Sequence, residues 1–165
     1  MNNWKKYKLS EIGEIVGGGT PSTANSANFN GNIPWITPRD LTGYNFKYIK
    51  SGERFVSEAG LKNSGAKLMP AGTVLMSSRA PIGYLVIAEN EICTNQGFKS
   101  IICNKSICNN HFVYYLLKNN IDKLHQIATG TTFLEVSGNA LKNFEITLPP
   151  PPRTTSHCRN FIILR

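Results

Sequence analysis

The sequence predicts an α+β fold: a twisted, mostly antiparallel sheet with short helices and one long helix in the C-terminal half. Three observations carry this. Short β-prone apolar runs are punctuated by Gly and Pro turns, as at Pro70-Ala71-Gly72 and Pro81-Ile82-Gly83. One stretch, Asn110 to Ala128, repeats its apolar residues at helical spacing instead. Strands and helices do not alternate in βαβ order, and no fixed-period repeat occurs, which excludes a doubly wound sheet and a solenoid.

Element by element, Leu9, Ile12, Ile15 and Val16 fall at helical spacing behind Ser10 as N-cap, with Gly17 as the stop. The Gly-rich segment from Gly17 is expected to form a tight turn with positive φ at one or more glycines. A short buried strand follows at Ile33-Pro34-Trp35-Ile36-Thr37. Ser57 is placed to cap a helix from Glu58 to Asn63, ended by Gly65. Strands are expected at Thr73 to Met76, Tyr84 to Ala88 and Phe98 to Cys103. In the long helix, Phe112, Val113, Leu116, Leu117, Ile121, Leu124, Ile127 and Ala128 share one apolar face. Lys118, Asn119, Asn120 and Lys123 face out, and His125 reads as a surface residue. Gly130-Thr131-Thr132 ends the helix, Ser137 starts a short one, and Phe144 to Leu148 is the last strand.

At 165 residues the chain has the length of one domain. A domain of that size buries about 70% of its unfolded surface, so neither metal nor disulfide is required. With 41% hydrophobic and 17% charged residues it is globular in composition. No run of about 18 apolar residues occurs, which argues against a membrane helix. The basic Met1 to Lys8 has no apolar stretch behind it, so no secretory signal is expected and the cytoplasm is the expected location. The four cysteines, Cys93, Cys103, Cys108 and Cys158, form no Cys-x-x-Cys pair, and Cys103, Cys108 and His111 lack a fourth ligand. Free thiols in a reducing compartment are expected.

The net charge is +8, and three of the positive charges, Arg153, Arg159 and Arg165, lie after Pro152. The surplus suits a polyanion. It is dispersed rather than blocked, unlike a disordered basic arm. Catalytic signatures do not accompany it. Gly17 to Ser22 has no Gly-Lys-Ser/Thr to cradle a phosphate. None of the ten acidic residues has Lys two positions on, as a metal nuclease site often has. Thr94-Asn95-Gln96-Gly97-Phe98 resembles a methyltransferase Asn-Pro-Pro-aromatic turn only superficially, since Gln96-Gly97 stands in place of both prolines. His111, His125 and His157 have no Ser or Cys partner in a known arrangement.

What remains is recognition chemistry, with no cofactor expected. Thr20, Ser22, Ser77, Ser78, Thr131 and Thr132 are short donors for phosphate oxygens. Arg39, Lys47, Lys50, Arg79 and Lys99 supply charge, and Asn95 or Gln96 is able to read a base edge. Each also has a purely structural reading. Ser and Thr beside turns often bond their own backbone, and Asn95 is suited to capping a turn.

An ordered set of strings resembles the target recognition domain of a type I restriction–modification specificity subunit. It comprises Trp4 with Leu9-Ser10-Glu11-Ile12, Gly18-Gly19-Thr20-Pro21-Ser22, and Pro34-Trp35-Ile36-Thr37-Pro38-Arg39-Asp40-Leu41. Then come Gly60-Leu61-Lys62-Asn63-Ser64, Leu68 to Leu75, Ser78-Arg79 with Ile82-Gly83, and Thr94 to Phe98. Gly130-Thr131-Thr132-Phe133, Glu135-Val136-Ser137 and Leu148-Pro149-Pro150 close it. The resemblance implies a non-catalytic domain, residues 1–152, that reads one half of a bipartite site in double-stranded DNA. The implied partners are modification (methyltransferase) subunits and restriction (motor–nuclease) subunits. Two other readings are a small nuclease or methyltransferase with an unrecognized site, and a basic RNA-binding module.

After Pro152 the sequence departs from that family, which continues through Glu-Gln and Ile-Ala into a spacer helix. Residues 153–165 show no amphipathic period. A set of codons for them, read one base out of frame, spells Pro-Glu-Gln-Gln-Ala-Ile-Ala-Glu-Ile-Leu-Ser-Phe-Phe. Residues 153–165 are therefore expected to be a frameshifted tail, loosely held, in a truncated chain whose docking to the other subunits is impaired.

Overall fold

The structure is a computed structural model, and it describes residues 4–149. The tail expectation for 153–165, together with His157 and Cys158, lies outside the described residues.

The chain folds as three layers. A five-stranded sheet forms the middle, in the order β2-β9-β6-β7-β4. Its strands are β2 (Gly13–Gly17), β4 (Tyr48–Ile49), β6 (Val74–Ser78), β7 (Ile82–Ala88) and β9 (Lys99–Cys103). On one side lie four helices that bury side chains in one core against this sheet: α1 (Leu9–Ile12), α3 (Asn110–Lys118), α4 (Ile121–Gln126) and α5 (Gly138–Lys142); α2 (Glu58–Lys62) packs instead through Leu61 on the cluster of Trp35 and Val56. The two-stranded pair β1 (Lys5–Lys8) and β10 (Glu145–Leu148) closes the four-helix core. On the other side packs a three-stranded sheet in the order β5-β3-β8, made of β3 (Phe29–Ile36), β5 (Arg54–Val56) and β8 (Cys93–Thr94). Most pairings are antiparallel; β3 with β8 and β4 with β7 are parallel. The α+β, mostly antiparallel architecture is the one the sequence predicts.

Period-two alternation divides the side chains of the central sheet between two cores. Val74, Met76, Leu85, Ile87 and Ile101 join Phe112, Val113, Leu117 and Leu124 on the helix side. Leu75, Val86, Ala88 and Phe98 join Ile36, Leu41, Met69 and Ile92 on the other. Each fully buried side chain of this size contributes about 1.5–3 kcal/mol. Trp35, Val56, Ala66 and Cys93 form a third, smaller cluster on the three-stranded sheet. Burial pushes the Cys93 thiol up to about 12, so it packs as a neutral group.

Two elements differ from the sequence expectation. The helix expected from Leu9 to Val16 is one turn, α1, capped at Lys8, whose N–H donates to the Glu11 carboxylate at 2.6 Å. From Gly13 the chain becomes β2, because pairing with β9 from Gly13↔Cys103 to Gly17↔Lys99 outweighs local propensity. The long helix breaks at Asn119-Asn120 into α3 and α4. There the Asn120 side chain donates back to the Leu116 carbonyl at 2.8 Å, competing with helix continuation. Both halves still reach one core, since Gly83 of β7 packs against Ile121.

The Ser caps form as expected. Ser57 Oγ accepts from Gly60 N and Ser137 Oγ from Ala140 N, each at 3.0 Å. α2 sits so close to the preceding loop that a Cβ on Gly60 would lie 2.0 Å from the Asn28 carbonyl oxygen. Helix propensity alone gives Gly→Ala a gain of about 1 kcal/mol. We expect the reverse at Gly60: Gly60→Ala should destabilize by about 1–3 kcal/mol through overpacking. Gly17→Ala, with nothing within 4 Å of its new Cβ, should be neutral or mildly stabilizing. Urea unfolding of the two variants beside the parent checks the pair; equal midpoints would contradict the close approach.

Candidate nucleic-acid interface

One end of the central sheet gathers five loops, and backbone hydrogen bonds tie each to the next. The Gly17–Ser22 loop is held by Gly19 N to the Thr94 carbonyl at 2.9 Å and by the Trp35 indole N–H to the Gly19 carbonyl at 3.0 Å. The 94–97 loop is held by Asn95 N to the Ile36 carbonyl at 2.9 Å. Next to it, Thr37-Pro38-Arg39-Asp40 forms a 3-10 turn closed by the Asp40 carboxylate, which accepts from Thr37 N at 2.8 Å and Thr37 Oγ1 at 2.7 Å. At the end of β6, Ser78 N donates to the Gly97 carbonyl at 2.7 Å, and Val136 N donates to the Ser78 carbonyl at 2.9 Å. The last bond brings in the fifth loop, 129–135.

The Gly-rich loop differs from expectation in its reason. None of Gly17, Gly18 and Gly19 has positive φ. A Cβ on Gly18 would lie 1.9 Å from the Asn95 carbonyl oxygen, and one on Gly19 would lie 2.2 Å from Ala66 N. Close backbone approach requires Gly18 and Gly19, not a left-handed turn.

The predicted contact residues divide accordingly. Thr20, Ser22, Arg39, Gln96, Thr131 and Thr132 are exposed on these loops. Thr20 Oγ1 hydrogen-bonds Gln96 Oε1, joining the Gly17–Ser22 loop to the 94–97 loop. Arg39 has no ion pair among the described residues. Asn95 is half-buried, and its side chain accepts from Gly97 N at 2.9 Å, so it shapes the turn. Ser78 is a correction. It is buried, and its hydroxyl donates to the Gly97 carbonyl at 3.2 Å, so it braces the loops and is not presented to a ligand. Ser77 is buried likewise, donating to the Pro81 carbonyl at 2.7 Å and accepting from Tyr84 N at 2.8 Å.

Lys47 lies apart from these loops, immediately before β4. Its ammonium sits 4.9 Å from the Tyr48 ring centroid and 5.4 Å from that of Tyr115 on α3. Burial and the Lys47 charge hold His111, whose Nε2 is 3.1 Å from Tyr48 Oη, below its usual value of 6.5. A histidine depressed in the folded state favors folding fully above pH 6.5 and loses that contribution as pH falls toward the folded value. His111→Gln should therefore flatten the acid side of the stability profile below pH 6.5; an unchanged pH dependence would mean that His111 titrates alike in both states.

Sequence reasoning missed the role of Glu135. Its carboxylate lies 3.5 Å from Arg79 Nη1 and 3.0 Å from Lys99 Nζ, so both predicted cations converge on one acid. Glu135 also forms backbone bridges with Arg79 and Thr129. A lone acid among basic candidates was the available signal. Among the described residues, no group of three His, Cys, Asp or Glu is placed to hold a metal, and no helix is long and apolar enough to cross a membrane.

Hydroxyls, one amide and cations thus gather at one end of the central sheet. The chain belongs to the type I restriction modification DNA specificity domain family, whose profile matches residues 1–155. It is 44% identical over 151 residues to the MjaIX specificity subunit of Methanocaldococcus jannaschii, covering 90% of this chain and 35% of that protein. It is 30% identical over 154 residues to the EcoR124I/EcoR124II specificity subunit of Escherichia coli, covering 88% and 36%. The HsdS subunit from Thermoanaerobacter tengcongensis shares the fold with a TM-score of 0.73 at 21% identity, over 96% of this chain and 36% of that one. The chain thus spans about a third of the length of the relatives it matches.

Glu135 makes the electrostatics of the rim testable without knowing a ligand. Glu135→Gln should release Arg79 and Lys99 and lengthen retention on heparin, with a salt slope steeper by about 0.9 for each cation freed. Unchanged elution would mean that the two cations do not face the polyanion.

Proposed function

We propose that the chain is a non-catalytic module that reads one half of a bipartite site in double-stranded DNA, within a type I restriction–modification system. One observation carries the reading: five loops, braced by shared backbone bonds, converge at one sheet end and expose Thr20, Ser22, Arg39, Gln96, Thr131 and Thr132 together. Short hydroxyls and Arg39 suit phosphate oxygens, and the Gln96 amide suits the paired donor and acceptor of an adenine edge. The family membership and the names of the relatives support it. Partner modification and restriction subunits would supply methylation and cleavage. The resemblance assigns their docking to a spacer helix after the Leu-Pro-Pro turn, so docking is impaired where residues 153–165 stand in its place.

Duplex selection from a randomized library, followed by titration at several salt concentrations, tests this. Affinity should fall with salt at about −0.9 per neutralized phosphate. Arg39→Ala should weaken all duplexes alike and reduce that slope by about 0.9, while Gln96→Ala should cost about 1–3 kcal/mol only on sequences carrying the base it reads. Preference for single-stranded RNA, or turnover of DNA by the chain with Mg²⁺ and S-adenosylmethionine, would overturn the reading in favor of an RNA module or an enzyme.

A further inference from the structure

The loop from Thr129 to Glu135 is built as a finger. Its base is a closed backbone pair, Thr129 N to the Glu135 carbonyl at 3.0 Å and Glu135 N to the Thr129 carbonyl at 2.9 Å. Outside that pair, the Val136 bond to Ser78 and the carboxylate contacts with Arg79 and Lys99 fix the base to β6 and β9. Inside it, the turn is tight. Gly130 has φ of 136°, and a Cβ there would lie 2.1 Å from the Phe133 carbonyl oxygen. Glycine alone allows this path.

The tip held out by this bracing is apolar. Phe133 is 73% exposed and Leu134 is 52% exposed, side by side, next to the exposed hydroxyls of Thr131 and Thr132. Single exposed apolar residues are ordinary on protein surfaces. An aromatic and an aliphatic residue together on a rigid projection, beside polyanion-directed groups, are not accounted for by folding. Phe46 is equally exposed but lies elsewhere, against Tyr44 at 5.6 Å, in the loop before β4.

We infer that the Gly130–Leu134 finger enters the duplex as a wedge, Phe133 unstacking a base step while Thr131 and Thr132 bond the flanking backbone. The inference rests on the duplex-DNA reading above and names the element that deforms the DNA. Apolar wedges of this kind unstack and kink duplexes, and the cost of unstacking is offset by the added contact of bent DNA. Charge decides for DNA over a protein partner: the finger carries the exposed Thr131 and Thr132 hydroxyls and is fastened at its base to Arg79 and Lys99 through Glu135, in a chain of net charge +8.

The test uses the full chain and the duplex that it selects from a randomized library, with 2-aminopurine substituted in turn at its adenine positions. The wild-type chain should raise 2-aminopurine fluorescence at one step. Phe133→Ala should lose that signal and bind roughly tenfold or more weakly, as loss of an aromatic–base contact does, at an unchanged salt slope. Phe133→Trp should restore both, and Phe46→Ala should match the wild type. Melting temperatures should be equal throughout, since both phenylalanines are exposed. Wild-type affinity and fluorescence in Phe133→Ala would overturn the wedge alone. So would a loss confined to binding of a modification subunit, which would make the finger a protein contact. Failure of the wild-type chain to select any duplex would overturn the wedge together with the reading on which it rests.

Discussion

Three of the segments at the loop-bearing end of the sheet are anchored on the last two residues of β6. The strand is central in the five-stranded sheet and buried along its whole length, so its polar groups have no access to water. Burying an unpaired hydroxyl or amide costs about 1–3 kcal/mol, so the groups at Ser77 and Ser78 must find protein partners. They find them in three different loops. Ser77 closes the 79–83 turn through Pro81 and Tyr84, Ser78 N and Oγ hold the Gly97 carbonyl, and the Ser78 carbonyl holds Val136. Desolvation at one strand end thereby fixes the relative positions of segments far apart in sequence. Burial does not enforce this everywhere: Thr94 Oγ1 and Ser100 Oγ, also buried, have no protein partner among the described residues.

The ion pairs at this end serve a different purpose. Arg79 and Glu135 are both partly exposed, and pairs of that kind contribute little to stability. Their geometry matters more than their energy. One carboxylate between two cations orients both side chains and fastens the base of the 129–135 loop to two strands. It also sets a local balance of charge: two cations are moderated by an acid, whereas Arg39 on its separate 3-10 turn is not. A polyanion approaching this rim meets one uncompensated cation and one pair whose charge is already half spent. In the sequence Arg79 is one of five candidate cations. The structure gives it a bracing role as well.

What was legible in the sequence was local or periodic. Ser57 and Ser137 cap helices with their own side chains over three residues, and the apolar runs of β6, β7 and β9 alternate between two cores, so pattern alone locates them. The failures share one cause, pairing between distant segments. Leu9 to Val16 has helical spacing, yet Ile15 and Val16 serve opposite faces of a strand because β9 is there to pair with. β1, β4, β5 and β8 are two to four residues long and exist only through their partners. Gly18 and Gly19 are plain in the sequence, but the reason for them is the backbone of Thr94, Asn95 and Ala66 pressing against them, which no local rule supplies.

The candidate contacts were legible only as a set. A Ser or Thr beside a turn reads the same whether it braces the loop or faces outward, and Ser78 and Thr131 show the two outcomes. Burial separates them, and burial depends on whether a residue lies at the base of a loop or at its tip. That division has a functional consequence. The bases of the loops are fixed by buried backbone bonds that tolerate little change, while Thr20, Gln96, Thr131, Thr132 and Phe133 sit beyond them in solvent. Substitution at the tips therefore leaves the core hydrogen bonds intact and alters only the chemistry presented outward. In a scaffold so arranged, the residues that hold the fold and the residues that face solvent are different members of the same loops, so the outward chemistry is free to change without endangering the fold.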